Sequence, residues 1–448
     1  MSLISSVLER KNIMRWMGYL FSFNAFAFLC TFLTTRIFTR WYSPEDYAVI
    51  GKFIFIITFS LSFLSGWLLP ALSRYVPERV AQQKSTGPIF QYILKISIIP
   101  VCIMVLLALV FHKELENYFG ILPSPIFLLI PVLLSSYVLI LSMLQTLNQF
   151  GHVTMLKIFE RILYLLMAIF IAYVFYLKDP LYFLNFTLGK LIITFTISLL
   201  LVWCLPQVRS SFRNVKDFLS SEQKRDMLRF VIPCFFSMLI SISLNWIDFF
   251  MVSLLKIDLD TGHYFFAQQV LNMMIAVAIV PFAAISPKLM QYLSGKNTDK
   301  ISDYIHKFIP LLHVCWLSMI IFVMIFINPI IGNFFSEKYM PSAWFIRILL
   351  VGQSGMIISQ CLILLMNHQK RSTRVTMIFA GTFIVNIVLA ILLTPLYQAK
   401  GICIAKAISI LILYIMTLVF TPSAKKFIRW YLLPLTLVPM ALFFILNY

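Results

Sequence analysis

Apolar residues in this chain gather into long runs separated by short polar stretches, and the runs are about as long as a bilayer is thick. Uncharged or nearly uncharged runs near 20 residues, enough to cross ~30 Å of hydrocarbon as a helix, lie in the first half at 14–35, 47–69, 89–111, 122–146, 156–177 and 182–204. The second half gives 229–255, 263–286, 308–331, 343–366, 375–394 and 401–421. A further run, 431–447, is short and carries Pro434 and Pro439. No alternating pattern of strand length suggests a barrel, so each span must satisfy its backbone hydrogen bonds within itself, as a helix. The first run is too long for a signal-peptide core and reads as an uncleaved helix. The expected fold is an all-α polytopic membrane protein with about 12 core transmembrane helices and a short thirteenth segment.

The longest connection, Pro206 to Arg229, is charged and has six spans on either side. Residues recur across it at a constant offset: Tyr47 and Tyr264, Pro70 and Pro287, Leu72 and Leu289, Tyr75 and Tyr292. The expected organisation is therefore a six-helix lobe over 1–205, a cytoplasmic linker over 206–228, and a second six-helix lobe over 229–421. A basic segment and short apolar stretch, 422–448, follow. An even number of spans per copy leaves both lobes in one orientation, related by a pseudo-two-fold axis along the membrane normal. Parallel repeats of this kind are a transporter architecture, with a site between the halves.

Composition agrees: 61% of the residues are hydrophobic and 12% charged, against roughly 45–50% and 25% in soluble domains, and the mean hydropathy is +0.92. The net charge of +19 is concentrated in alternate connections, at Arg74, Arg79 and Lys84, Arg209 to Arg229, Lys288 to Lys307, Lys370-Arg371 and Lys425-Lys426. That asymmetry predicts a cytoplasmic N-terminus. A basic face against anionic headgroups accounts for the charge without a nucleic-acid partner. The seven cysteines lie in or beside apolar runs, without metal or CxxC spacing, so no metal or catalytic centre is expected. No connection is long enough for a soluble domain, which argues against a membrane-embedded glycosyltransferase or polymerase.

Candidate chemistry therefore sits inside the spans. Ser237, Ser241, Asn245 and Asp248 share one helical face, and a carboxylate about 10 Å from the helix end should face the interior or a wet cavity rather than lipid. Gln268 and Asn272 are one turn apart in the next span, and Asn24 is strongly polar in the middle of the first. Thr187, Lys190, Thr194 and Ser198 form a second stripe; Lys190 either pairs with Asp248 or lines a cationic cavity. Arg36, Lys52, Arg347 and Lys406 lie near the outer ends of their spans, where long side chains snorkel to headgroups, with Lys52 and Arg347 set deeper. Lys157, Glu160 and Arg161 have the spacing to pair with one another. Ser43-Pro44-Glu45-Asp46 has the form of a helix start, with a cap, a proline and first-turn acids. The interior carries more cations than acids, which suits an anionic ligand better than a cationic drug.

Two segments carry a family resemblance. Arg36-Ile-Phe-Thr-Arg-Trp-Tyr-Ser-Pro-Glu-Asp-Tyr47 resembles the first outer hairpin of Wzx-type flippases of lipid-linked oligosaccharides. Asp248-Phe-Phe-Met-Val, leading to Gly262-His263-Tyr264 and Gln268, is similar to the start of the second half in that family, although Ala48 stands where the family often has Gly. The family belongs to the multidrug/oligosaccharidyl-lipid/polysaccharide exporter superfamily, which includes lipid II flippases and multidrug and toxin extrusion transporters. The resemblance implies a non-enzymatic transporter of the bacterial inner membrane, working by alternating access and using no cofactor. It would move undecaprenyl-pyrophosphate-linked oligosaccharide to the outer leaflet for O-antigen-like polysaccharide, beside other polysaccharide-assembly membrane proteins. A multidrug or small-cation extruder of the same fold is the alternative. On this basis Asn24, Lys52, Lys190, Asn245, Gln268, Asn272 and Arg347 are expected to line the substrate path. Asp248 is the candidate for proton or sodium coupling.

Overall fold

The computed structural model describes residues 23–81, 85–119, 128–147, 149–205, 219–255, 257–294, 309–368, 372–421 and 436–447. Each of the twelve expected spans is helical over its described residues. Helix α1 occupies 23–41. Helix α2, Pro44–Leu64, continues through a tight turn at Gly66–Leu68 into Leu69–Ala81. Then come α3 (Gly87–Val110), α4 (Leu129–Thr146), α5 (Phe150–Ile169, ending in a wide turn at Phe170–Val174) and α6 (Leu181–Cys204). The second half contains α7 (Ser221–Leu254), α8 (Asp258–Ser294) and α9 (Ile309–Phe334). Helix α10 is Ser342–Gly352 and Met356–His368, joined by a tight turn at Gln353–Gly355. The run Ser372–Phe420 is two helices, α11 and α12, either side of Gln398. Its φ of 51° and ψ of −131° lie in a region that favours glycine. Helix α13, Val438–Asn447, is ten residues, about 15 Å, half the depth of the hydrocarbon.

Local chemistry sets several boundaries. The hydroxyl of Ser43 accepts from the Asp46 amide at 3.2 Å, and the Ser43 amide donates to Asp46 Oδ2 at 3.4 Å. This reciprocal cap opens α2 as the sequence predicts. A second such cap lies within the charged connection: Ser220 Oγ accepts from the Gln223 amide at 3.1 Å, and Gln223 Oε1 accepts from the Ser220 amide at 3.2 Å. It starts α7 before its apolar run, so the helix reaches into the stretch assigned to the linker; residues 206–218 lie outside the described residues.

Eight of the described helices are long and apolar enough to cross a membrane by length and composition, with Thr373–Phe420 holding two spans in one run. Helix α5 stands outside that set because Lys157, Glu160 and Arg161 interrupt it. Packing differs sharply among the eight. In α10 83% of the most apolar window is buried within the protein, against 17% in α3, so α10 is a core helix and α3 a lipid-facing one. Leu106, Leu109 and Val110 of α3 accordingly point outward. Hydroxyls in the spans bond back to their own helix, as Ser136 does to the Val132 carbonyl at 2.9 Å and Ser409 to that of Ala405 at 2.7 Å. Such bonds let hydroxyls sit at membrane depth without a partner on another helix.

The chain resolves into two compact units. One is Ala48–Trp246; the other takes the chain up to Tyr47 and from Ile247 onward. These are packed bodies rather than the halves marked by the repeat, and each contains residues from both halves. In the first, Trp67, Leu72 and Val76 of α2 share a core with Phe90 of α3, Met143 of α4 and Val231 of α7. Arg74 of α2 lies over the ring of Phe230 at 4.6 Å, and Tyr75 donates to the Asp226 carbonyl at 3.4 Å. In the second unit the two segments that carry the resemblance meet. Gly262 of α8 abuts the carbonyl of Pro44, and Tyr47 packs on Phe265 at 4.9 Å and on Tyr339 at 5.8 Å. The Tyr339 hydroxyl donates to the Ser43 carbonyl at 3.2 Å, and Arg40 Nε donates to that of Phe335 at 3.0 Å.

A β-carbon at position 262 would collide with backbone rather than with a side chain that can turn away. Gly262→Ala is therefore expected to cost about 1–3 kcal/mol and to lower the thermal unfolding midpoint of the purified protein. Gly151→Ala, where a β-carbon meets nothing within 4 Å, should leave that midpoint in place.

Candidate functional site

A carboxylate cannot be left bare in the membrane interior, and Asp248 of α7 is 2% exposed. Its partner is Lys406 of α12, whose ammonium lies 2.9 Å from Oδ1 with its side chain 6% exposed. The hydroxyl of Tyr264, on α8, donates to the other oxygen. Three helices thus converge on one carboxylate with both oxygens occupied. Around it the space is filled: Tyr264 meets the edge of Phe345 at 5.8 Å, and the Cys403 thiol lies 3.8 Å from the Phe345 carbonyl. Breaking such a pair is expensive, because it leaves a desolvated charge behind.

This arrangement corrects two expectations. Lys406 does not snorkel: it sits two turns into α12 and points inward. The small neighbours Ala399, Cys403 and Ala407, all buried, mark the face of α12 that packs closely on α10, where Gly352 abuts Ala407. Nor is Asp248 the partner of Lys190. Lys190 Nζ lies 3.4 Å from Glu160 Oε1 and 4.9 Å from the ring centroid of Tyr164, all three on α5 and α6. Glu160 therefore reaches across to α6 besides lying between its own-helix neighbours Lys157 and Arg161.

The two ion pairs differ in kind. That of Asp248 is short and sealed. That of Glu160 is longer than the ~2.7–2.9 Å of a well-formed charge-assisted bond, and its side chains are 11% and 21% exposed. Glu160 and Arg161 lie about 6–8 Å inside the apolar run that begins at 156, and Lys190 about 12 Å inside the run that begins at 182. Lys157 and Arg161 flank Glu160 and feel its charge and each other's, while Arg161 makes no hydrogen bond or ion pair among the described residues. The rest of the α6 stripe is spent locally. Thr194 bonds to the Lys190 carbonyl at 3.0 Å and Ser198 to that of Phe195 at 2.7 Å, while Thr187 faces the Met167 sulfur at 3.8 Å.

Other expected site residues divide between the two units. Lys52 is 6% exposed and lies 5.7 Å from the ring centroid of Tyr118. Arg347 is 8% exposed, and its Nε donates to the Met324 carbonyl at 3.2 Å, fastening α10 to α9. Both turn inward, as their depth predicts. Gln268 is buried, Asn24 is half-buried, and Asn245 and Asn272 are exposed. Lys52, Lys190 and Asn245 belong to the Ala48–Trp246 unit, and Asn24, Asp248, Gln268, Asn272 and Arg347 to the other.

Comparison with known proteins gives the family. The family model described as "Polysaccharide biosynthesis protein" matches residues 13–293, and the one described as "MatE" matches 233–392. No curated protein sequence matches the chain. Among solved structures the chain is similar to the lipid II flippase MurJ in an inward closed conformation. The identity is 16%, the TM-score 0.70, and the match covers 96% of this chain and 93% of that one. It is also similar to an inward-facing multidrug resistance MATE family transporter of the MOP superfamily, at 14% identity and a TM-score of 0.73, covering 92% and 96%. A MATE transporter from Vibrio cholerae follows at 14% identity and 0.63, covering 94% and 99%. At such identities the likeness is one of fold. Together with the family models it bears out the superfamily expected from the two segments and the helical polytopic fold.

Replacing Lys406 by Met should strand Asp248 and cost about 3–5 kcal/mol. The double variant Asp248→Asn, Lys406→Met should recover most of that loss. A double-mutant cycle on thermal unfolding checks this; purely additive losses would mean that the two side chains are not coupled.

Proposed function

The chain belongs to the polysaccharide biosynthesis protein family, and on that premise we propose that it is a lipid-linked oligosaccharide flippase. Its substrate is an undecaprenyl-pyrophosphate-linked repeat unit. It carries that unit by alternating access from the cytoplasmic to the outer leaflet of the bacterial inner membrane, for O-antigen-like surface polysaccharide. The N-terminus is cytoplasmic, and the bilayer holds the prenyl tail while the head group crosses.

The observation that carries this reading is the sign of the charge within the spans. Lys52, Lys157, Arg161, Lys190, Arg347 and Lys406 stand against Asp248 and Glu160. A path for a pyrophosphate needs such an excess, since anions gain most from cations where water is scarce. A small-cation extruder would need the reverse. Asn245 of α7 and Asn272 of α8 are exposed amides, side chains whose donors and acceptors suit sugar hydroxyls. A proton or sodium ion couples at Asp248 only by displacing Lys406, which already holds the carboxylate.

In a strain lacking this gene and any redundant flippase, surface polysaccharide should fall to background and lipid-linked units should accumulate on the cytoplasmic leaflet. Re-expression of the chain should reverse both. Unchanged polysaccharide with no trapped intermediate would overturn the proposal, and loss of resistance to cationic compounds instead would favour the extruder.

A further inference from the structure

We propose that the end of α2 and the starts of α3 and α7 enclose a site for one aminophospholipid head group, a zwitterion that joins a phosphate to a primary ammonium. The site is separate from the carriage of substrate, and only its assignment to the inner leaflet rests on the orientation proposed above. A cavity of about 160 Å³ lies there, bordered by Glu78 and Arg79 of α2, Ile89 of α3, and Asp226 and Met227 of α7. Its charges are of both signs, and they do not pair. Arg79 is 8% exposed and has one partner, the Ser85 carbonyl, to which Nη1 donates at 2.8 Å. Neither the Glu78 nor the Asp226 carboxylate makes a hydrogen bond or ion pair among the described residues. Cations are at hand in the sequence, but Lys224 and Arg225, next to Asp226, are exposed.

A guanidinium has five donors, and a buried charge that uses one of them is poorly compensated. A lone anion entering to answer Arg79 would meet two carboxylates, and a lone cation answering the carboxylates would meet Arg79. A zwitterion gives each its opposite. Two carboxylates also separate a primary ammonium, with three N–H donors, from a choline group with none. Depth names the source of such a ligand. Asp226 lies three residues ahead of the apolar run that begins at 229, and Ile89 opens the run of α3. Three residues are about 4.5 Å of helix, within the roughly 5–7 Å that head groups add on each side of the hydrocarbon. Ile89 and Met227 offer the glycerol backbone an apolar wall, and α3 is a lipid-facing helix. Tyr75 donates to the Asp226 carbonyl at 3.4 Å and Tyr92 to that of Lys224 at 3.5 Å. These bonds tie α2 and α3 to the first turns of α7, so a bound head group braces the same joint.

The test is native mass spectrometry of the full-length protein in detergent, titrated with phosphatidylethanolamine, phosphatidylcholine and phosphatidylglycerol of one chain composition. Phosphatidylethanolamine should bind roughly three- to tenfold more tightly than phosphatidylcholine. The double variant Glu78→Gln, Asp226→Asn should lose that preference and unfold at the wild-type temperature, since neither carboxylate holds another group. Arg79→Gln should weaken phosphatidylethanolamine by roughly threefold or more. Glu222→Gln, one turn before Asp226 and outside the cavity lining, should keep the preference. No preference in the wild type, a preference that survives the double variant, or an equal loss in Glu222→Gln would overturn the proposal. Tighter binding of phosphatidylglycerol that disappears with Arg79→Gln would assign the cavity to a simple anion and overturn it too. Water-soluble glycerophosphoethanolamine separates the two sources of this zwitterion. Displacement of the lipid by an equal concentration of it would give the cavity to a soluble ligand and overturn the lipid site.

Discussion

A charge inside a bilayer has to be answered by another charge within a few ångströms, and in this protein the answer to Asp248 comes from α12. The Asp248–Lys406 contact, with the Tyr264 hydroxyl on the remaining oxygen, ties α7, α8 and α12 at one point. Apolar packing is a weak guide to helix arrangement in lipid, because tails solvate leucine as well as another helix does. A buried ion pair is not interchangeable in that way. It fixes which face of α12 looks inward and, through Gly352 against Ala407, how closely α10 lies beside it.

The same rule explains why the two segments of family resemblance look as they do. Ser43-Pro44-Glu45-Asp46 is a helix start that caps itself, and it presents the Pro44 carbonyl where Gly262 leaves room for it. Tyr47 and Tyr264, equivalent positions in the repeat, have diverged in role. The first packs among Phe265 and Tyr339, and the second spends its hydroxyl on Asp248. A repeat with the same residue at matching positions therefore serves packing in one copy and charge in the other.

Much of the architecture is legible in the linear pattern, because hydropathy summed over a bilayer's thickness decides whether a segment is a span. Hence the twelve helices, the cap at Ser43 and the inward turn of Lys52 and Arg347 follow from position alone. What is not legible depends on direction and on partners far away in the chain. Lys406 has the register of a snorkelling residue, and only the close approach of α10 reveals that its face is the buried one. Glu160 has neighbours of the right sign and spacing on its own helix, which hides its reach to Lys190 on α6. The early start of α7 lies in the Ser220–Gln223 cap, a local signal masked by charge around it. Gln398 offers no sign of its turn, since glycine would be the residue to expect there.

The partners of the central ion pair are 158 residues apart in the chain. At ribosomal speeds of about 5–20 residues per second, roughly 8–30 s separate the synthesis of Asp248 from that of Lys406. During that interval α7 must enter the membrane carrying a carboxylate with no ammonium to meet it. Only α12 brings the ammonium that completes the pair. The order of synthesis thus makes the last core helix a checkpoint: a chain truncated before α12 contains eleven apolar spans and a charge that the bilayer will not accept.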